Sequence, residues 1–367
     1  MTTVRKRGEE IRRYILESIE HNPQNIGKLT AEHFGITRQG INKHLRKLVS
    51  EKALSESGHT RNRIYKLASI AEWKRIYEIT TALEEDVVWR NDITTVLGPQ
   101  PANVLDIWQY CFTEMFNNAL NHSGGTIIGV NIKKTATSTE IILWDNGIGI
   151  FKKIQSEMNL LDERHAILEL SKGKLTTDPK HHTGEGIFFT SRMLDSFDIL
   201  AGGVFFTHKF EDREDWILEA QSGHGTFVWM RLSNHTARTE KEIFDQYVSG
   251  EDYGFNKTVV PVKLAQYGND KLISRSQAKR VLARVELFKT VVFNFKDVES
   301  VGQAFADEIF RVFSIEHPGI EVIYINANPS VEQMIQRAQA AKMPRQFISE
   351  NPSIGDIAKT LEEEPTE

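Results

Sequence analysis

Apolar residues in the first 70 positions recur at helical spacing and then alternate as they do in strands. The first helical stripe comprises Ile11, Tyr14, Ile15 and Ile19. A second short helix is expected over 25–34, and a third from Thr37, a suitable N-cap, to about Ser50. Residues 53–67 then predict two short strands around a polar loop. The pattern indicates three helices followed by a hairpin.

The third predicted helix has a polar face opposite its buried seam of Ile41, Leu45 and Leu48. The side chains of this polar face are Arg38, Gln39, Asn42, Lys43 and Arg46. Such side chains read guanine, adenine and phosphate when a helix lies in the major groove of DNA. Two further basic residues, Arg61 and Arg63, lie in the polar loop of the hairpin. Together they form a candidate DNA-binding surface.

The order of these elements over residues 8–68 resembles a winged helix-turn-helix domain. Residues 34–48, FGITRQGINKHLRKL, are similar to the turn and recognition helix of bacterial transcription regulators. The resemblance implies DNA binding, and a homodimer is expected because winged modules usually read two half-sites. The alternative is a small helical dimerisation or docking module whose basic face is solvated.

Between residues 100 and 233 the pattern predicts a helix, two strands, a second helix and a closing strand. The first helix runs from about Ala102 to His122 and carries an apolar stripe. Residues 127–150 follow as two alternating strands around a polar turn, ending in DNGIGI. KHHTGEGIFFTSRML at 180–194 opens the second helix, and GHGTFVWMRL at 223–232 begins a strand. Glycine clusters therefore stand at the ends of several predicted elements.

The residues at these ends carry the candidate chemistry. Glu114 and Asn118 share one helix face, and such a pair supplies a general base and an oxygen ligand for magnesium. Asp145 ends a strand, where its carboxylate can accept a hydrogen bond from an adenine amino group. The backbone is free to turn closely at Gly147 and Gly149.

Two later segments complete the set. Gly184, Glu185 and Gly186 open an apolar helix, whose first N–H groups suit a triphosphate. Thr226 begins the closing strand, and its hydroxyl is placed to complete adenine recognition. Any one glycine cluster is a commonplace turn, whereas four motifs in this order favour a nucleotide site.

The four motifs resemble the N, G1, G2 and closing boxes of the GHKL superfamily, which includes DNA gyrase and the catalytic domains of histidine kinases. The resemblance covers about residues 100–233 and implies a Bergerat α/β sandwich that binds ATP and Mg²⁺. It implies that Asn118 holds magnesium, that Asp145 binds adenine, and that residues 152–183 form a mobile lid. Asn121 stands where many sensor kinases have a basic residue, so its phosphate contact is expected to be weaker.

Glu114 indicates which members of the GHKL superfamily the chain resembles most. It stands in the first N-box position, as in gyrase-type hydrolases and anti-sigma-factor serine kinases, which implies a base for water or a hydroxyl. No phospho-acceptor histidine stands in a dimerisation helix before the domain, so a histidine autokinase is disfavoured.

The C-terminal third alternates strand and helix. Strands are expected at 258–265, 290–299 and 321–328, with helices near 274–286, 303–313 and 330–338. This small α/β unit resembles a STAS-like domain, the fold of anti-sigma-factor antagonists. At the position of the phosphorylatable serine in that family stand Gln303, Ala304 and Phe305, without a hydroxyl. A docking role toward a protein partner is therefore preferred to a phosphorylation switch.

The expected fold class is multidomain α/β. Its parts are a winged helix-turn-helix (1–69), a partly helical connector (70–99), a GHKL domain (100–233), a linker (234–254), a STAS-like domain (255–340) and an acidic disordered tail (341–367).

Charge strengthens the reading of the N-terminal module. The chain has 367 residues and a formal charge of −5, but residues 1–66 contain 14 Lys and Arg against 7 Asp and Glu. A basic module on an acidic body suggests contact with a polyanion. The single cysteine, Cys111, excludes an internal disulfide framework. No apolar run approaches the ~18–20 residues of a membrane span and no secretory signal is evident, so a cytoplasmic location is expected.

These features favour a transcription regulator whose state is set by ATP binding or hydrolysis, with DNA at one end and a protein partner at the other. The alternatives are a serine/threonine protein kinase of the anti-sigma-factor type acting on a separate partner, and an ATP-gated ATPase scaffold.

Overall fold

A computed structural model describes residues 2–59, 62–176, 184–210, 214–248, 254–266 and 270–341. Its first part contains α1 (Thr2–Ser18), α2 (Ile26–Phe34), α3 (Arg38–Ser50), β1 (Leu54–Ser57) and β2 (Ile64–Leu67). The two strands pair in antiparallel fashion. The three helices and the hairpin predicted from the sequence are thus present, and they enclose a small apolar core of their own.

Two local caps form the tight turn between α2 and α3. Gly35 takes a left-handed conformation (φ 62°) after α2, and its N–H bonds to the carbonyl of Ala31. Two residues later the Thr37 hydroxyl accepts a hydrogen bond from the backbone N–H of Gly40, at 3.3 Å. These two caps hold α3 against α1 and α2 with Ile41, Leu45 and Leu48 buried.

The middle of the chain forms a five-stranded antiparallel sheet in the order β3-β4-β5-β7-β6. The strands are β3 (Ala71–Glu78), β4 (Ile127–Lys134), β5 (Ser138–Asp145), β6 (Ser196–Lys209) and β7 (Glu214–Ser233). The helices are α4 (Glu85–Val88), α5 (Thr94–Leu97), α6 (Ala102–His122), α7 (Ile150–Glu157), α8 (Glu163–Lys172) and α9 (Gly186–Met193). A π-helical turn, Trp89–Ile93, joins α4 to α5.

The segment 70–99, expected to be a connector, instead contributes β3 to the edge of this sheet. β3 pairs along its whole length with β4, from Ala71 opposite Lys134 to Glu78 opposite Ile127. Tyr77 is buried beneath the strand while its neighbour Ile76 is 60% exposed, as expected for an edge strand. The helical expectation was wrong for 71–78 because pairing with a distant strand outweighs the weak local preference of this charged segment.

The helix α6 packs its apolar stripe against the inner face of the sheet. Its buried residues are Val104, Ile107, Trp108, Cys111, Phe112, Met115, Phe116 and Ala119. The sheet opposes them with alternate residues such as Ile128, Leu143 and Met230. The C-terminal half of α6 also lines the cavity described below.

We expect Gly129→Ala to destabilise the protein by about 1–3 kcal/mol, the usual range for overpacking. Gly129 pairs with Trp144 across β4 and β5, and a Cβ at this position would overlap the indole ring. The control is Gly223→Ala in β7, where the described part of the chain, neighbours apart, places no heavy atom within 4 Å of the new Cβ. Denaturant unfolding measures both. An unchanged free energy of unfolding for Gly129→Ala would contradict the overlap.

The C-terminal part contains a three-stranded parallel sheet in the order β10-β9-β8. After α10 (Glu240–Asp245) come β8 (Lys257–Pro261), α11 (Arg275–Leu282), β9 (Thr290–Asn294), α12 (Gln303–Asp307), α13 (Ser314–Glu316), β10 (Glu321–Ile325) and α14 (Pro329–Ala340). Tight helical turns at Val262–Ala265 and Val285–Leu287 and a π-helical turn at Glu308–Phe313 complete the unit. The expected alternation of strand and helix is confirmed.

One continuous apolar core joins the middle and C-terminal parts. Phe255 lies 4.6 Å from Phe188 of α9 and 5.2 Å from Phe288, measured between ring centroids. Phe244 of α10 lies 4.4 Å from Phe189. The segment 234–254, expected to be a linker, therefore carries a helix that packs into this core. Among the described residues no helix is long and apolar enough to cross a membrane, and the predicted tail from residue 342 onward lies outside them.

Candidate functional site

Side chains from separate segments of the chain meet at a cavity of about 300 Å³. It lies between the C-terminal half of α6, the end of β5, the middle of β7, α7 and the start of α9. Thr226, expected at the start of a strand, lies within β7, which already begins at Glu214. Seven residues selected from the sequence line it: Glu114, Asn118, Asp145, Gly184, Glu185, Gly186 and Thr226. The structure thus brings the helix pair, the strand end, the glycine-rich helix start and the closing strand to one place.

Asp145 is buried at one wall of the cavity, where β5 ends. Its Oδ1 accepts a hydrogen bond of 2.8 Å from the backbone N–H of Gly147, and Thr226 also hydrogen-bonds to it. The Thr226 hydroxyl accepts from the N–H of Ile150 at 3.1 Å, which ties β7 to the start of α7. Burial nevertheless raises the pKa of Asp145 above its ordinary value, because it outweighs these hydrogen bonds.

Glycine is required beside Asp145 for two steric reasons. A Cβ at Gly147 would overlap the carbonyl of Ser123, and a Cβ at Gly225 (φ +82°) would overlap the carbonyl of Asp145 itself. Gly149 precedes α7 with φ +86°. Neither Gly147 nor Gly149 lines the cavity, so their contribution is to shape the turn behind Asp145.

Glu114 of α6 and Gly186 at the start of α9 meet in the same cavity. A Cβ on Gly186 would overlap the carboxylate of Glu114, so this glycine lets the start of α9 approach the carboxylate. Burial, and after it the charges of Glu185 and Glu85, raise the pKa of Glu114. Burial also raises the pKa of Glu185, against the attraction of Lys174. A partly buried carboxyl group of raised pKa in a cavity is typical of acid–base chemistry.

Asn121, also selected from the sequence, lies outside the cavity wall. Its side chain is exposed and donates a hydrogen bond of 2.6 Å to Oδ1 of Asn117, one turn earlier on α6. Asn118, by contrast, lines the cavity. Asn118 and Asn121 therefore point to different sides of α6, although they are only three residues apart.

The cavity has further lining residues that sequence reasoning did not assign to the site. The polar ones include His122, Ser123 and Glu157, and the apolar ones include Leu143, Ile150, Ile199 and Val228. Lys153 also lines the cavity and donates a hydrogen bond of 2.9 Å to the carbonyl of His122. The spacing of Ile150, Lys153 and Glu157 on one face of α7 is the signal that would have selected it.

The surface proposed from α3 is exposed throughout. Arg38, Gln39, Asn42, Lys43 and Arg46 are all exposed on the face opposite the buried seam. Arg63 lies in the hairpin, with its guanidinium 3.2 Å from the carboxylate of Glu56 and hydrogen-bonded to Tyr65. Arg61 lies outside the described residues.

Comparison with known families identifies the C-terminal part. Residues 277–332 match a family described as a STAS-like domain of unknown function (DUF4325). The C-terminal unit is therefore STAS-like, as the sequence pattern indicated. A comparison with curated proteins finds no match to this chain at a significant level.

Proposed function

We propose that the chain binds ATP with Mg²⁺ in the cavity and DNA through α3, and that it is a transcription regulator whose state depends on the nucleotide. The observation that carries the proposal is the convergence of seven residues, chosen from separate sequence motifs, on one cavity. The motifs and their order are those of the GHKL superfamily. In this proposal the middle unit is a Bergerat-type domain and the first unit is a winged helix-turn-helix.

The wall around Asp145 suits an adenine ring. The carboxylate offers an acceptor to the amino group, and Thr226 beside it offers a hydroxyl. Leu143, Ile199 and Val228 line the same cavity and supply the apolar surface that a planar base requires.

The part of the cavity at the start of α9 suits a triphosphate with its metal. The first N–H groups of α9 at Gly186 and the ammonium group of Lys153 favour bound anions. Asn118 provides a side-chain oxygen of the kind that Mg²⁺ prefers, and Glu114 lies one helical turn before it. The metal, when bound, neutralises phosphate charge; the side chains position it and the phosphates.

The test of the nucleotide site is thermal unfolding with and without ATP and Mg²⁺. Binding to the folded state should raise the melting temperature in proportion to the logarithm of ATP concentration at saturation. UTP should give a much smaller shift, because its base lacks the amino group that Asp145 is proposed to accept. Equal shifts with both nucleotides would contradict the adenine assignment, and the absence of any shift would overturn the proposal.

We expect Arg46→Ala to weaken specific DNA binding roughly 5- to 150-fold, the range of about 1–3 kcal/mol for a base contact. Arg46 is exposed on the proposed reading face of α3. Lys74→Ala is the charge-matched control, because Lys74 is exposed on β3, outside the helical module. A sequence selected from random duplexes provides the probe. Equal binding by wild type and Arg46→Ala would contradict the placement of α3 against DNA bases.

A second candidate function rests on Glu114. Its carboxyl group lines the cavity and has a raised pKa, which suits a base acting on water or on the hydroxyl of a separate partner. The chain would then be an ATPase or a serine/threonine kinase of the anti-sigma-factor type. Incubation with labelled ATP distinguishes them: label on a partner indicates the kinase, and free phosphate alone indicates the hydrolase.

A further inference from the structure

The helix α8 is held to the STAS-like unit by a lysine that is completely buried. The ammonium group of Lys172, at the end of α8, has 0% exposure. It donates to Oε1 of Glu169 at 2.7 Å, to the carbonyl of Arg280 at 3.0 Å and to the carbonyl of Ala283 at 2.8 Å. The latter two belong to the C-terminal unit, so two of the three donors of Lys172 cross this contact and the third stays within α8.

Arg284 makes the reciprocal contact from the STAS-like side. Its guanidinium donates to Oε2 of Glu169 at 3.1 Å, to the carbonyl of Gly173 at 3.1 Å and to the carbonyl of Lys174. The backbone of Arg284 is left-handed, with φ 62°, a conformation that a side chain disfavours. These contacts favour the arginine at a position where glycine is better suited to the backbone.

Glu169 is the shared partner of both cations. Burial alone would raise its pKa, but His165 at 3.6 Å, the hydrogen bond from Lys172 and the charges of Lys172 and Arg284 bring the pKa below its ordinary value. The group therefore remains a carboxylate that bridges the two units. Removal of either cation leaves buried charge without its partner.

The residues that follow Lys172 lead directly into the cavity. The carbonyls of Gly173 and Lys174 are held by Arg284, and the next two residues, Leu175 and Thr176, line the cavity. The backbone N–H of Leu175 donates to the carbonyl of Gly184, and Gly184 also lines the cavity. In addition, the ammonium group of Lys174 donates to the carbonyl of Leu287 at 3.0 Å. Four residues thus connect the buried contact to the cavity wall.

We infer that the STAS-like unit sets the ligand affinity of the cavity by holding residues 172–175 through Lys172 and Arg284. The inference rests on the proposed function insofar as the ligand is ATP. Because coupling between two sites is reciprocal, a protein partner that displaces Arg284 weakens ATP binding, and ATP weakens that partner's binding by the same factor. The STAS-like unit would then regulate the cavity from within the same chain.

The first experiment needs no nucleotide. Amide hydrogen exchange of residues 163–176 is compared between wild type, Arg284→Gly and Lys279→Ala. Glycine accepts the left-handed backbone, so Arg284→Gly removes the guanidinium without disturbing the turn. Lys279 is 72% exposed on α11 and approaches only Glu308, at 3.9 Å, among the ion pairs of the described residues. Faster exchange in Arg284→Gly alone is expected; exchange equal to wild type would overturn the inference.

The second experiment measures ATP affinity and the reciprocal response. Arg284→Gly should weaken ATP binding about tenfold, within the usual 5- to 150-fold range of coupling between sites, and Lys279→Ala should not. ATP should also slow exchange at residues 278–288 in wild type and not in Arg284→Gly. ATP binding by wild type with no response at 278–288, and equal affinity in Arg284→Gly, would overturn the coupling.

The two proposals fail in different ways. If wild type binds no ATP, the proposed function fails, while ligand-free exchange of 163–176 still decides whether Arg284 holds the segment. If Arg284→Gly melts far below wild type, Arg284→Lys replaces it, because lysine keeps the charge but cannot donate to Glu169 and two carbonyls in the guanidinium geometry. Faster exchange at 163–176 in Arg284→Lys supports the inference, and wild-type exchange overturns it.

Discussion

Replacement of Asp145 by asparagine is expected to weaken ATP binding roughly 10- to 150-fold, the loss of a hydrogen bond to a charged group, and to remove most of the thermal stabilisation by ATP. Oδ1 of Asp145 accepts from the N–H of Gly147, and asparagine can keep this bond with its own oxygen. Its amide nitrogen then replaces the second carboxylate oxygen, so that a donor meets the adenine amino group, also a donor. Calorimetric titration measures the Kd directly.

The same substitution is expected to stabilise the ligand-free protein at neutral pH. Folding raises the pKa of Asp145, mainly through burial. Such a group contributes stability that is fully present below its unfolded-state pKa and is lost as the pH rises through the folded-state value. At neutral pH, Asp145→Asn should therefore melt above wild type without ATP. The difference should disappear as the pH falls below the pKa of Asp145.

Glu140→Gln provides the matched control for Asp145→Asn. Glu140 lies on the same strand, β5, and its half-exposed side chain points to the other face of the sheet, 4.0 Å from Arg231. It loses the same charge without touching the cavity, so both its ATP affinity and its ligand-induced shift should match wild type. A full ligand shift in Asp145→Asn would exclude adenine recognition by Asp145.

The parts of the site that could be predicted from sequence are those whose geometry is local. Asp145 and Gly147 belong to one turn, and the carboxylate bonds to the N–H two residues later. Glu114 and Asn118 are one helical turn apart, so a helix places both on the same face. The exposed face of α3 follows from the same periodicity. In each case a few consecutive residues determine which side chains lie together.

Contacts between distant segments could not be predicted in this way. The strand β3 forms by pairing with β4, with Ala71 opposite Lys134. The residues of β3 themselves give no strong strand signal. Arg284 reaches Glu169 across 115 positions, and neither residue stands in a recognisable motif. Tertiary pairing decides these positions, and a single sequence carries little trace of it.

The interpretation of the STAS-like unit changes with these distant contacts. From the sequence, the absence of a hydroxyl at Gln303, Ala304 and Phe305 suggested a docking role toward a separate protein. The structure shows that Lys172 of the middle unit and Arg284 of the STAS-like unit already make a contact within the chain. A separate partner that binds the STAS-like unit near Arg284 would therefore also affect the middle unit.

Replacement of Glu114 by glutamine is expected to lower ATP turnover about 10²- to 10⁴-fold, the usual contribution of a general base, while ATP binding persists. Glutamine keeps the shape of the side chain but cannot accept a proton as a carboxylate does. Phosphate release and label transfer measure the turnover, and the ATP-induced thermal shift measures binding. Loss of both together would instead assign Glu114 to binding, and retained turnover would exclude it as the base.

The pH dependence distinguishes a base from a structural carboxylate. A base must be ionised, so turnover should rise with pH through the pKa of Glu114, which burial, Glu185 and Glu85 raise above its ordinary value. Glu185→Gln removes the largest of the neighbouring charges and should move this rise to lower pH. Asp106→Asn, an exposed carboxylate two turns earlier on α6, should leave the profile unchanged. If Glu185→Gln leaves the pH dependence of turnover unchanged, another group in the cavity is the base.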